Sequence, residues 1–412
     1  MPAGSSTKQE IEMTLSLISS TPTAADVLFS SLNRQTQMTS LAQTALSTGA
    51  DRATKGDYAG AVREFKRAIG LDSSPANAVT AYNLLATSYI QMGRTEDAIK
   101  AYKSSISMSP TDDTAHRNLG NIYFSQGRYN EAETEYNIAV KNGPTTSMNR
   151  FSLGQVYLAT GRTQQAETTF KSVIKMDPSQ YGGYYALGQT YAKEGRQQEA
   201  VSEFQRVVAM KKDFYQVHVD LGSAYADLGD MTKANAELSI LNDKAPNLSS
   251  SLSGYIDKTT KPKILAAYNA SGFSDTSGPR TLVSDLNSSL SAPSASKQFN
   301  VTFIFTKDMD PSSVQNPYNW SITKAAYGSA GGAYNWGLPT SKTDVKIATI
   351  PASVIFLPGS LSATVSFMVN QNATGDGTID PSHINFKFSG KDIYGNAMDA
   401  SADEYSGISQ IV

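Results

Sequence analysis

The stretch Leu119-Gly120-Asn121-Ile122-Tyr123-Phe124-Ser125-Gln126-Gly127-Arg128-Tyr129-Asn130-Glu131-Ala132 returns 34 residues later as Leu153-Gly154-Gln155-Val156-Tyr157-Leu158-Ala159-Thr160-Gly161-Arg162-Thr163-Gln164-Gln165-Ala166. Working outward, glycine recurs at Gly120, Gly154, Gly188 and Gly222, and tyrosine at Tyr89, Tyr123, Tyr157, Tyr191 and Tyr225. A second glycine follows each tyrosine by four residues (Gly93, Gly127, Gly161, Gly195, Gly229). An alanine stands five further on (Ala98, Ala132, Ala166, Ala200, Ala234). A fixed period of this length means one supersecondary unit repeated along the chain.

Each recurring residue has a mechanical reason. The first glycine is small where two helices of one repeat touch, and the tyrosine one turn later fills the space beside it. The second glycine ends the first helix by taking φ > 0 just past its last turn. The alanine lets the second helix pack closely, and Tyr102, Tyr136, Phe170 and Phe204 supply the large counterpart. Pro110, Pro144, Pro178 and Pro246 close the repeats, because proline cannot continue a helix.

At these residues the segment resembles the tetratricopeptide repeat family, with Ala86 filling the first small position in the repeat that starts at Val79. Repeats start near Ala42, Val79, Asp113, Ser147, Tyr181 and Tyr215. Arg150 and Lys212 depart from the pattern, one from a large apolar position and one from the closing proline. The resemblance implies helix pairs stacked into a right-handed superhelical solenoid whose concave face binds peptides or neighbouring proteins. Terminal repeats need a cap against water. Leu252 to Ala267 is expected to supply one at the C-terminal end, and residues 9–40 the other.

From Phe299 the pattern changes to period two. Phe299, Val301, Phe303 and Phe305 alternate with Asn300, Thr302 and Ile304, which predicts a strand with one buried face. Asp310-Pro311 predicts a short helical turn after it. Further strands are expected at Asn319–Thr323, Val345–Ile350, Ser353–Phe356, Ala363–Val369 and Ile384–Phe388. Two signatures frame this region: Phe303-x-Phe305-Thr306-Lys307-x-Met309-Asp310-Pro311-x-Ser313-Val314, and Lys391-Asp392-Ile393-Tyr394-Gly395-Asn396-Ala397. Together they resemble the bacterial immunoglobulin-like domains of surface-layer and adhesin-type proteins. That resemblance implies an all-β sandwich acting as spacer, assembly unit or binding module.

Composition agrees with an α part followed by a β part. At 412 residues the chain is long enough for two or three domains. Residues 1–270 hold 27 basic and 26 acidic side chains, and the last 142 hold 8 and 11. The expected organisation is a helical segment over 1–41, six repeats over 42–248, a capping helix and linker over 249–275, and the Ig-like sandwich over 276–412. The two parts are expected to fold independently.

The same arithmetic excludes functions. Lys and Arg number 35 against 37 Asp and Glu, so no basic field exists to hold nucleic acid. Cysteine is absent, which removes thiol catalysis and disulfides. No apolar stretch is long enough for a membrane span, and no basic-then-apolar leader opens the chain. His116, His218 and His383 are scattered without metal-ligand spacing. No phosphate loop or nucleophile elbow occurs. No cofactor, metal or catalytic residue is expected. Asp376-Gly377-Thr378-Ile379-Asp380 reads as a turn.

By repeat register the groove lining includes Asn83, Thr87, Arg117, Asn121, Phe124, Phe151, Gln155, Tyr185, Gln189 and Asp220. Asn and Gln pair with the backbone of an extended peptide, while the aromatics provide apolar area. Tyr334 and Trp336, at the end of the glycine-rich loop 328–337, are expected as a second partner-anchoring pair. The functional expectation is a non-enzymatic binding and assembly protein at a bacterial surface or in a filament, exported without a classical signal peptide. Self-association through the apolar N-terminal segment belongs to it. The alternative is an intracellular adaptor or export chaperone.

Overall fold

The computed structural model describes residues 24–269, 273, 277–326 and 332–406. Among them thirteen helices come first: α1 (Ala24–Thr54), α2 (Tyr58–Leu71), α3 (Pro75–Gln91), α4 (Thr95–Met108), α5 (Asp113–Ser125), α6 (Tyr129–Asn142), α7 (Ser147–Ala159), α8 (Thr163–Met176), α9 (Tyr181–Lys193), α10 (Gln197–Met210), α11 (Gln216–Asp227), α12 (Met231–Lys244) and α13 (Pro246–Thr259). No helix among the described residues is long and apolar enough to cross a membrane. The chain divides into two compact units between Asp213 and Phe214.

In the first unit, α1 to α10 pair as the period requires. Each turn glycine takes φ near +70 to +80°: Gly93 at 71°, Gly127 at 72°, Gly161 at 77° and Gly195 at 75°. The N–H three residues past the helix end then reaches back, as Arg128 does to Tyr123 O at 2.9 Å and Arg162 to Tyr157 O at 2.8 Å. A Cβ on Gly120 would stand 2.6 Å from the Tyr136 ring, and one on Gly154 2.6 Å from Phe170. The aromatic of the second helix therefore sits on the bare backbone of the first. Gly49 meets Phe65 in the same way at 2.5 Å, so the first repeat carries the signature as well.

Two differences from the sequence reading lie in this unit. Residue 41 is no boundary, because α1 runs unbroken from Ala24 to Thr54; residues 1–23 of the expected N-terminal segment lie outside the described residues. The stretch Ala24–Gln37 leaves Val27, Leu28, Phe29 and Leu32 more than half exposed. Proline is also not needed to stop the second helices. α10 ends at Met210 before Lys212, two residues ahead, as α8 ends at Met176 before Pro178.

The second unit holds α11 to α13 and then the β region. Its strands are β1 (Ile264–Asn269), β2 (Thr281–Leu282), β3 (Ser296–Phe305), β4 (Trp320–Lys324), β5 (Ser353–Phe356), β6 (Ser362–Asn370), β7 (Thr378–Ile379), β8 (Ile384–Phe388) and β9 (Glu404–Ser406). Short helices α14 (Val283–Leu286) and α15 (Pro311–Val314) interrupt them, α15 capped by the Asp310 side chain, which accepts from Ser312 N at 3.0 Å. One antiparallel sheet has the order β1-β3-β6-β5, a second β4-β8-β9, and β2 pairs with β7. Phe303 against Phe386 (5.5 Å) and Phe305 against Phe388 (5.4 Å) join the inner faces of the first two sheets into one core.

The expected capping helix over Leu252–Ala267 is corrected. The helix spans Pro246–Thr259, and Ile264–Asn269 is an edge strand paired with β3. Pro262 removes a backbone donor after Thr259-Thr260, and β-branched residues favour extension. The β region therefore starts at 264, twelve residues before the expected boundary at 276. Val345–Ile350 is likewise not a strand: Ile347 makes only an isolated bridge to Val369, and Val345 N bonds Thr378 O.

Candidate functional site: the face of the first helices

The 34-residue period places the groove candidates in columns across the first helices of successive repeats. Asn83, Arg117, Phe151 and Tyr185 form one column, and Thr87, Asn121, Gln155 and Gln189 the next. The helices that carry them adjoin, α5 with α7 and α7 with α9. Arg117 is the single charge in both columns, and it makes no ion pair among the described residues.

The columns change character along the unit. In the repeat from Asp113, the Tyr136 hydroxyl donates to Asn121 Oδ1 at 2.7 Å; in the repeat from Val79, Thr87 and the Tyr102 hydroxyl lie 3.3 Å apart. Burial pushes the Tyr136 phenol well above its ordinary value against the opposing charge of Arg117, so it stays a donor. Burial also raises Tyr102. Asn83 donates to Asp112 at 3.0 Å. A depression of about 370 Å³ lies here, lined among others by Thr87, Tyr102, Asn118 and Asn121.

The next two repeats carry Phe170 and Phe204 where the earlier ones carry tyrosine. Without a hydroxyl below them, the half-buried Gln155 and Gln189 side chains have no hydrogen-bond partner among the described residues. Phe151 leans on Phe170 with ring centroids 5.8 Å apart, and Tyr185 on Phe204 at 5.9 Å. A free primary amide beside an aromatic thus repeats once per helix pair. The interval is one helix spacing, about 10 Å.

The remaining candidates separate from this pair of columns. Phe124 turns edge-on to Tyr129 at 5.5 Å and packs against the repeat core. Asp220 lies on α11 in the second unit. Tyr334 is buried, its hydroxyl donating to Asp344 at 2.6 Å and accepting from Asp380 N at 3.1 Å, whereas Trp336 is 73% exposed. Asn335 and Trp336 both take left-handed backbone (φ 49° and 51°), held by Asn335 N donating to the buried Asp380 carboxylate at 2.6 Å. Residues 328–331 of that loop lie outside the described residues. Asp376 accepts from the Asn372 amide at 2.9 Å and returns its own N–H to Asn372, closing a turn. Among the described residues no three His, Asp or Glu side chains converge as metal ligands.

The sequence reading missed one regular feature. The arginine after four of the five turn glycines stacks on the tyrosine of the preceding helix: Arg94 on Tyr89, Arg128 on Tyr123, Arg162 on Tyr157 and Arg196 on Tyr191, all 4.2 to 4.6 Å from the ring centre. Arg162 also pairs with Glu133 (2.6 Å) and Arg196 with Glu167 (3.0 Å), tying each turn to the previous repeat. The signal is present in the chain, because arginine stands five residues after four of the five tyrosines.

A tetratricopeptide-repeat profile matches residues 83–146 and 151–213. Among solved structures, Pseudomonas aeruginosa pilF is 17% identical over 53% of this chain and 98% of its own, with a TM-score of 0.47. A tetratricopeptide repeat protein from Parabacteroides merdae is 18% identical over 53% and 86%, also at 0.47. YrrB, described as having an unusual peptide-binding site, is 21% identical over 46% and 96%, at 0.39. No functionally curated protein matches the sequence. Over residues 83–146 and 151–213, the chain carries tetratricopeptide repeats.

Proposed function

We propose that the face of the first helices binds an uncharged, extended protein segment, and that the protein is a non-enzymatic interaction and assembly factor. The observation that carries this reading is the pair of partnerless amides, Gln155 and Gln189, one repeat apart and each beside a ring. An extended chain rises about 3.3 Å per residue, so a spacing of about 10 Å returns to its backbone every third residue. A primary amide both donates and accepts, which suits a peptide group. The near absence of charge in both columns favours an uncharged segment.

The test is selection of random twelve-residue peptides displayed on phage against the full chain. Uncharged sequences should enrich, and they should lose binding to the Gln155→Ala/Gln189→Ala variant. Enrichment of charged sequences that the variant retains overturns the reading. We assign the β region to the bacterial Ig-like type on its two signatures, and with it a cell-surface location; protease treatment of intact cells tests that location. The exposed Val27, Leu28, Phe29 and Leu32 favour self-assembly as a further part of the reading. Deleting residues 1–36 should then leave a monomer in light scattering.

A further inference from the structure

The two signatures of the β region, about 80 residues apart in sequence, meet in space. Met309 and Asp392 form an antiparallel bridge, Asp310 N donates to Lys391 O at 3.1 Å, and Lys391 N donates to Ser313 Oγ at 2.9 Å. Where they meet, the Lys307 side chain is 4% exposed and its ammonium stands 2.8 Å from Asp392, itself fully buried. Joining two loops does not require a buried ammonium, which is costly unless every donor is used. Here all three are used. Besides Asp392, Nζ donates to Asp257 O and to Thr260 O (2.8 Å), and the Tyr394 ring lies 5.1 Å away.

Asp257 and Thr260 do not belong to the β region. They are at the C-terminal end of α13, where carbonyls have no partner in their own helix and the helix dipole is negative. Asn396 of the second signature takes a further carbonyl, donating from Nδ2 to Lys258 O at 2.6 Å. Upstream on the same helix, Leu252 fills the space above Gly222 of α11, and the Tyr255 hydroxyl donates to Asp227 at 2.6 Å.

We propose that the two signature loops form a socket for the C-terminus of a helix, and that here the socket clasps α13. The last repeat, the cap helix and the β sheets then behave as one cooperative body. A pull or a partner acting on α11 is transmitted to the sheets through α13 rather than absorbed by a tether. The charge state agrees. Burial alone would raise Asp392, but the bonds from Lys307 and from the Asn396 side chain and N–H outweigh it and hold the carboxyl below its ordinary value.

Hydrogen exchange on the full chain tests the socket. In Lys307→Met, amides of α13 up to Thr259 should exchange at least tenfold faster, together with those of the two signature loops. Faster exchange confined to residues 305–314 and 390–398, with α13 as protected as in the wild type, overturns the proposal. If Lys307→Met does not fold, Asn396→Ala, which keeps the buried ion pair, decides. It should speed exchange in the last turn of α13 several-fold, and an unchanged last turn overturns the socket.

Discussion

At the scale of single residues, the repeats rest on a contact between a missing side chain and a ring. Gly154 has no room for a Cβ, since one would stand 2.6 Å from Phe170, whereas a Cβ on Gly182 meets only the Phe151 ring at 3.7 Å. Gly154→Leu should therefore cost about 3 kcal/mol or more in denaturant unfolding, and Gly182→Ala should be neutral or stabilising by up to ~1 kcal/mol. Equal effects at both positions would contradict the packing argument. The same ring position governs the face proposed to bind a peptide. Phe170→Tyr should supply Gln155 with the hydroxyl that Asn121 already has, weakening peptide binding several-fold at unchanged thermal stability. These residues were legible because the 34-residue period superposes them. What the free amides imply was not, because whether an amide is partnered depends on a side chain fifteen residues away on another helix.

Between elements, the sequence is informative where one residue type has one use and silent where two uses share a pattern. The glycine four residues after each repeat tyrosine ends a helix with positive φ in all five cases, Gly93, Gly127, Gly161, Gly195 and Gly229. The segment Ile264-Leu265-Ala266-Ala267-Tyr268 serves a helix or a buried edge strand equally well, so the expected cap overruns the true end at Thr259, even though Pro262 marks the break. β2, β7 and β9 are two or three residues long, too short for any period to show. A polar junction at the other end makes a pH prediction. Asp72 accepts from Ser74 N (2.9 Å), the Asn77 amide (2.8 Å) and, from α1, the Thr39 hydroxyl (2.9 Å). These bonds, the Ser74 N–H foremost, hold its pKa at about 2. A carboxyl lowered on folding stabilises above its unfolded value near ~4 and loses that contribution as pH falls towards 2. Exchange in the α1–α3 junction should rise through that window, and Asp72→Asn should flatten the pH dependence. A variant that kept the wild-type profile would remove Asp72 from the junction.

For the whole molecule, the boundary that matters lies inside the repeats, between Asp213 and Phe214, rather than at the start of the β region. A fragment of residues 214–412 should fold, with cooperative unfolding and both helical and β circular dichroism. A fragment of 276–412 lacks β1 and the helix that fills the socket, and should be unstable. A well-folded 276–412 fragment would restore the independence that composition suggests. To this scale also belongs the proposed function of a face of amides and rings on which Arg117 is the single charge. Calorimetric titration of one selected peptide into the full chain tests it most directly, comparing Gln155→Ala/Gln189→Ala with Arg117→Ala at low and high salt. Two neutral hydrogen bonds predict a loss of about tenfold or more for the glutamine pair, with Arg117→Ala and salt changing affinity less than about twofold. An affinity that survives loss of both glutamines, or collapses with Arg117 or with salt, would contradict it.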